Sequence, residues 1–259
     1  MVISPFRAVF VFGLAFAWSP TQTAGQETSA PQPIRAEYAN PTDRYPHNIM
    51  GSLSAHTDLI VGLEQCPGCS EELEVLAIRL PENLVFEDFA PRLVDLNADG
   101  RNEIIVIESD QSKGSRLAVW DVIMEGGEPK LKRGAVTDHI GTRFRWLAPI
   151  GAADFDGDGA TEFAYVEKPH LDKILRVVRR DGEHLRRVAS VPGVTNHAIG
   201  QEEVQSRIEI CPDGPTFFAL DASGQGILSI QVNSGAAEVT EVGKAEVRHQ
   251  LDERTFCRQ

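Results

Sequence analysis

Residues 91–108 read PRLVDLNADGRNEIIVIE, and residues 150–167 read IGAADFDGDGATEFAYVE. Aligned on Asp95 and Asp154, both take the form D-x-[DN]-x-D-G-x-x-E and run on into an apolar segment, at an offset of 59 residues. A recurrence of this length is one supersecondary unit, such as a propeller blade or a solenoid turn. Two fainter copies flank the pair. Residues 51–64 (GSLSAHTDLIVGLE) keep an acid followed by an apolar strand at Asp58 but lack the acidic loop. Residues 195–200 (TNHAIG) echo 137–141 (TDHIG), with Gly141 and Gly200 again 59 apart, and CPDG at 211–214 takes the place of the loop. One continuous repeat therefore spans most of the chain without an interdomain linker.

The acidic loops carry a metal chemistry. A glycine at the sixth position lets the backbone turn with φ > 0, so side-chain oxygens at the first, third and fifth positions converge. The first loop offers Asp95, Asn97, Asp99, the carbonyl of Arg101 and Glu103; the second offers Asp154, Asp156, Asp158, the carbonyl of Ala160 and Glu162. Ligand sets made only of oxygen suit a hard cation, and Ca2+ takes six to eight of them. An EF-hand would need a bidentate Glu at the twelfth position, which is Val106 in one loop and Tyr165 in the other, and an exiting helix instead of IIVIE or FAYVE. Asp/Asn/Gly clusters also make good turns without any ion. Two copies in one register, each with an acid at the ninth position, favour the calcium reading. The second loop has four carboxylates against three and an Asn, so it is expected to bind more tightly.

These segments, and 151–163 (GAADFDGDGATEF) best of all, resemble the FG-GAP or VCBS-type repeat of integrin α-subunit propellers and of many exported bacterial proteins. The wider pattern is similar to small secreted bacterial repeat proteins. The resemblance implies an all-β β-propeller with calcium loops between the strands of a blade. The chain departs from the family pattern at the ninth position, Glu where Asp is usual, and its first and last copies lack ligands. The length left suits about four or five blades, irregular ones included.

The remaining sequence agrees with an all-β chain. Short runs at 58–63, 73–80, 93–96, 103–108, 117–123, 163–167, 174–179, 207–210, 216–219 and 227–232 alternate with Gly/Asp/Asn turns. No window has a clean helical apolar period, so little helix is expected. Arg7 precedes an apolar run at 8–18 that would span roughly 16 Å as a helix, about half a hydrocarbon core. With small residues at 23–25, this reads as a cleaved secretory signal over 1–25, followed by a polar linker at 26–35 and one repeat domain at 36–259. The expected address is periplasmic or extracellular, with no integral membrane segment after signal removal.

Four cysteines fit an oxidising compartment. Of the three possible connectivities, Cys66–Cys69 within CPGC and Cys211–Cys257 are favoured. CPGC also matches a thiol-exchange motif, but it lies between strand-like runs and lacks the βαβ setting that chemistry uses. Zinc would need a second pair of ligands, and none is evident nearby in sequence.

His47, His139 and His197 each precede an Ile and a Gly at similar repeat positions. Convergence near a propeller axis, beside Arg143, Arg145 and Trp146, would make a site for a transition metal or a small anion. Local hydrogen bonding of each His to blade backbone is the favoured reading, and the convergent site is the alternative to it. Arg179, Arg180, Arg186 and Arg187 read as a solvated hairpin face. The net charge of −13 argues against a basic surface for nucleic acid or anionic lipid. No GxSxG, HExxH, P-loop or strand-linked GxGxxG occurs. The resulting expectation is an exported calcium-binding propeller that acts as a binding or scaffold module for a protein, small-molecule or carbohydrate ligand. A hydrolase or lyase using the His/Arg funnel, and a purely structural calcium-rigidified repeat, are the alternatives.

Overall fold

A computed structural model describes residues 30–51, 55–64, 72–233, 235–245, 251 and 256–257. The expected signal at 1–25 and the Cys66–Cys69 pair lie outside the described residues. What is described is all-β: 17 strands in two sheets, of twelve and five strands.

β1 (Pro33–Pro41), β2 (Ala55–Glu64) and β3 (Glu72–Arg79) form an antiparallel set with β2 in the middle. β1 begins inside the segment read as linker. The short β4 (Leu84–Glu87) hydrogen-bonds to both β2 and β6 (Glu103–Asp110) and joins this set to the next. That next set is a meander of β5 (Arg92–Val94), β6, β7 (Gly114–Glu125) and β8 (Glu128–Val136). A second four-stranded meander follows with β9 (Leu147–Ala153), β10 (Glu162–Glu167), β11 (Ile174–Asp181) and β12 (His184–Pro192). A single parallel bridge, His184 to Val136, links β12 to β8. The five-stranded sheet holds β13 (Val194–Thr195), β14 (Ser206–Cys211), β15 (Gly214–Asp221), β16 (Gly226–Asn233) and β17 (Ala236–Lys244).

Burial explains why the inner strands read as unbroken apolar runs. Successive side chains of a strand face opposite ways. On β6, Ile105 and Ile107 enter the larger core with β9–β12 and the five-stranded sheet, whereas Ile104 and Val106 enter the core shared with β1–β3. β7 divides the same way, with Leu117 and Val119 on one side and Ala118, Trp120 and Val122 on the other. Both faces of β10 are buried in the larger core through Phe163, Ala164, Tyr165 and Val166. A strand covered on both faces gains apolar burial at every position, each large side chain contributing roughly 1.5–3 kcal/mol. The outer face of the five-stranded sheet is covered by Leu251 and Phe256, which pack on Phe218, Leu220 and Ile227, and the expected Cys211–Cys257 disulfide ties that segment down.

No described helix is long and apolar enough to cross a membrane.

Candidate functional site

The two acidic loops join β5 to β6 and β9 to β10, and they share one set of hydrogen bonds. Asp95 Oδ2 accepts the Gly100 N–H at 2.9 Å, as Asp154 Oδ2 accepts Gly159 N–H at 2.9 Å. The other oxygen takes the fifth-position amide, from Asp99 at 3.2 Å and from Asp158 at 3.1 Å. Asp99 Oδ1 and Asp158 Oδ1 accept the amides of Arg101 and Ala160. The ninth-position Glu closes each loop: Glu103 Oε2 accepts Leu96 N–H at 2.7 Å, and Glu162 Oε2 accepts Phe155 N–H at 2.9 Å. Both loops need left-handed backbone at the fourth and sixth positions, with φ of 58° and 85° at Ala98 and Gly100 and of 75° and 91° at Gly157 and Gly159. The first loop thus holds an alanine in a conformation that glycine adopts without steric cost.

The donor sets differ in convergence. One oxygen from each of Asp154, Asp156 and Glu162 lies within 4.8 Å of the others. Three hard oxygens so placed fit a calcium-class cation. Among the described residues, Asp95, Asp99 and Glu103 do not form such a group. Instead Asp99 turns to Arg101, at 2.9 Å.

Arginines from β11 complete both loops, which corrects their reading as a solvated hairpin face. Arg179 Nη2 lies 3.0 Å from Asp156 Oδ1, Arg179 Nη1 lies 2.7 Å from Asp158 Oδ2, and the guanidinium also pairs with Glu162 Oε1. Arg180 pairs with Glu103 Oε1 at 3.1 Å and with Asp121 at 2.7 and 2.8 Å. The two arginine side chains are only 18% and 16% exposed, so they belong to the loops and not to bulk solvent. Burial pushes the Glu103 carboxyl up to about 7, against the Leu96 amide and Arg180. Burial likewise raises Glu162, opposed by the Phe155 amide and Arg179. Burial works against the charge of Arg179, but its bonds to Asp158 and Glu162 outweigh that and hold it well above the usual range. The loops share a cleft of about 710 Å³, lined by Asn97, Asp121, Lys132, Asp158, Arg179 and Arg180.

The histidines separate. His139 donates from Nδ1 to the Gly114 carbonyl and lies in another depression, with Tyr165, Glu167 and Arg176. For His139 the reading of local bonding to backbone therefore holds, and it does not join His47 and His197. The backbone of β7 fixes it locally. His47 Nδ1 pairs with Oε1 of the buried Glu87 at 2.6 Å, and its ring stacks on Phe144. Arg143 lies over the same phenyl ring at 4.3 Å, and Arg145 donates to the Phe144 carbonyl. Trp146 is core, its Nε1–H donating to the Glu87 carbonyl and its ring meeting His197 at 5.0 Å.

Ser109 donates to Glu87 Oε2 and does not reach His47. The carboxylate stands between hydroxyl and imidazole, so the nucleophile–base–acid order of a hydrolase triad is not built here.

His170, which the sequence reading passed over, bonds through Nε2 to His197 Nδ1 at 2.9 Å, and His197 Nε2 faces the Gln201 carbonyl. A carbonyl only accepts, so His197 carries its proton on Nε2 and His170 donates to Nδ1. Burial, then the charges of His197, His47 and Lys173, hold His170 down at about 4, below its ordinary 6.5. In this window the unfolded chain binds a proton that the folded one does not, so stability falls as pH drops from 6.5 towards 4. The difference in urea midpoint between pH 7 and pH 4.5 should therefore shrink in His170→Gln relative to the parent. Equal differences in both proteins would refute this assignment.

Compared with known proteins, the chain gives no match to a family model, a curated protein or a solved structure.

Proposed function

We propose that this is an exported calcium-binding β-repeat protein of FG-GAP type, acting as a rigid binding or scaffold module for a protein, small-molecule or carbohydrate partner. The observation that carries the reading is the convergence of Asp154, Asp156 and Glu162 in a turn whose own amides orient Asp154. Blade-like units are supported by the two four-stranded meanders β5–β8 and β9–β12, whose inner strands are apolar on both faces and pack against their neighbours. The Cys211–Cys257 bridge suits an oxidising, extracytoplasmic setting. Bound calcium supplies a fixed divalent charge that ties β9 to β10. Asp154, Asp156, Asp158, Glu162 and the Ala160 carbonyl would hold it, and Asp95, Asn97, Asp99, Glu103 and the Arg101 carbonyl would hold a second, weaker ion.

Thermal unfolding in EDTA, calcium and magnesium tests the reading. At a calcium concentration about 100 times its Kd the fold gains roughly 2.7 kcal/mol. That gain should appear as a rise in Tm with calcium and not with magnesium, and Asp156→Ala should lose most of it. No shift at ~1 mM calcium, the weak end for extracellular modules, would leave the loops as turns alone.

A further inference from the structure

We propose that Arg179 is a tethered counter-cation that calcium displaces into the cleft between the two acidic loops, where with Lys132 it forms a site for a small dianion such as sulfate or phosphate. The inference rests on the calcium reading of the second loop and adds a regulated ligand site to it.

The geometry makes the two cations exclusive. Arg179 bridges Asp156, Asp158 and Glu162, and two of these, Asp156 and Glu162, belong to the convergent carboxylate group. A calcium ion draws its oxygens to 2.3–2.6 Å. A guanidinium hydrogen-bonded to two of those same carboxylates would sit against the divalent charge with little water between, and like charges so close repel strongly. Either the arginine holds the loop or the ion does.

Only the side chain of Arg179 has room to answer. Its backbone is fixed between Glu162 on β10 and Arg186 on β12. The side chain already lines the 710 Å³ cleft, together with Lys132 and Arg180. Arg180 stays engaged, because Asp121 grips it with both carboxylate oxygens and Glu103 adds a third contact. Displacement therefore frees one guanidinium into a cleft that the Lys132 ammonium also lines. A forked guanidinium next to a point charge is a pairing that recognises tetrahedral oxyanions. Before displacement the same guanidinium is saturated by carboxylates, and the cleft has no comparable donor to offer.

Calorimetric titration of the full mature chain tests both halves. Arg179→Gln should bind calcium about tenfold more tightly than the parent, since the competing charge-assisted bonds are gone. Arg179→Lys, which keeps a charge but cannot bridge three carboxylates, should fall between them and serves if the Gln variant does not fold. Sulfate should bind the parent in calcium and not in EDTA, and binding should be lost in Arg179→Gln and in Lys132→Gln. Calcium binding to the parent with no tightening in either Arg179 variant would overturn the exchange and leave the calcium reading standing. Sulfate affinity that is absent, or equal with and without calcium, would overturn the anion site. If neither parent nor variant binds calcium, both the inference and the reading beneath it fall.

Discussion

Replacing Cys257 by Ser should cost about 4 kcal/mol of stability. The Cys211–Cys257 bridge closes a loop of 46 residues in sequence, and the loop-closure entropy it removes from the unfolded chain has that size. The bridge also holds an apolar cover in place. Phe256 stacks on Phe218 with ring centroids 5.0 Å apart, and Glu209 accepts the backbone amides of Phe256 and Cys257. Glu209, Cys211 and Cys257 have metal-ligand spacing, but the disulfide consumes both thiolates. Urea unfolding of Cys257→Ser and Cys211→Ser should give equal losses. A loss under about 1 kcal/mol in both would mean that packing, and not the cross-link, retains the tail.

Glu108→Ala should be comparably damaging, at about 3–5 kcal/mol, because it leaves partly buried cations without their counter-charge. The Glu108 side chain is fully buried on β6. One of its oxygens accepts from Arg116, and the other accepts from Trp120 and Arg133. Arg133 also stacks over the Trp120 ring at 4.6 Å. The network fastens β6 to β7 and β8 on the face that meets the smaller core. Chemical denaturation of Glu108→Ala checks it, with Glu108→Gln separating charge from shape. A change below about 1 kcal/mol for Ala would show that both arginines find water instead.

The long strands covered on both faces were legible in sequence; the short buried β4 and several charged outer strands were not. IIVI at 104–107 and FAYV at 163–166 stand out because they are covered on both faces, so every position selects for apolar side chains. β8, β12 and β17 went unread, since EPKLKRGAV, HLRRVASVP and AAEVTEVGK carry charge on exposed faces. Their backbone pairs with a single long neighbour, a requirement that leaves little trace in composition. β9 was hidden by the Pro and Gly of LAPIGAA, where a shift in register accommodates both residues.

The candidate site divides in the same way. Position and spacing within one loop determined the repeated hydrogen bonds of Asp95 and Asp154, because residues a few places apart meet through local backbone geometry alone. The sequence likewise determined the all-β class, and the Cys211–Cys257 pairing it favoured is the one the structure holds. Tertiary structure decided which charge answers each loop. Arg179 and Arg180 are neighbours in the chain, yet strand alternation sends one to the loop before β10 and the other across to Asp121 and Glu103. It also replaced His139 with His170 beside His197, and brought the buried Glu87 to His47 across 40 residues. These are contacts between strands and meanders, set by register and layer packing, which no short window of sequence encodes.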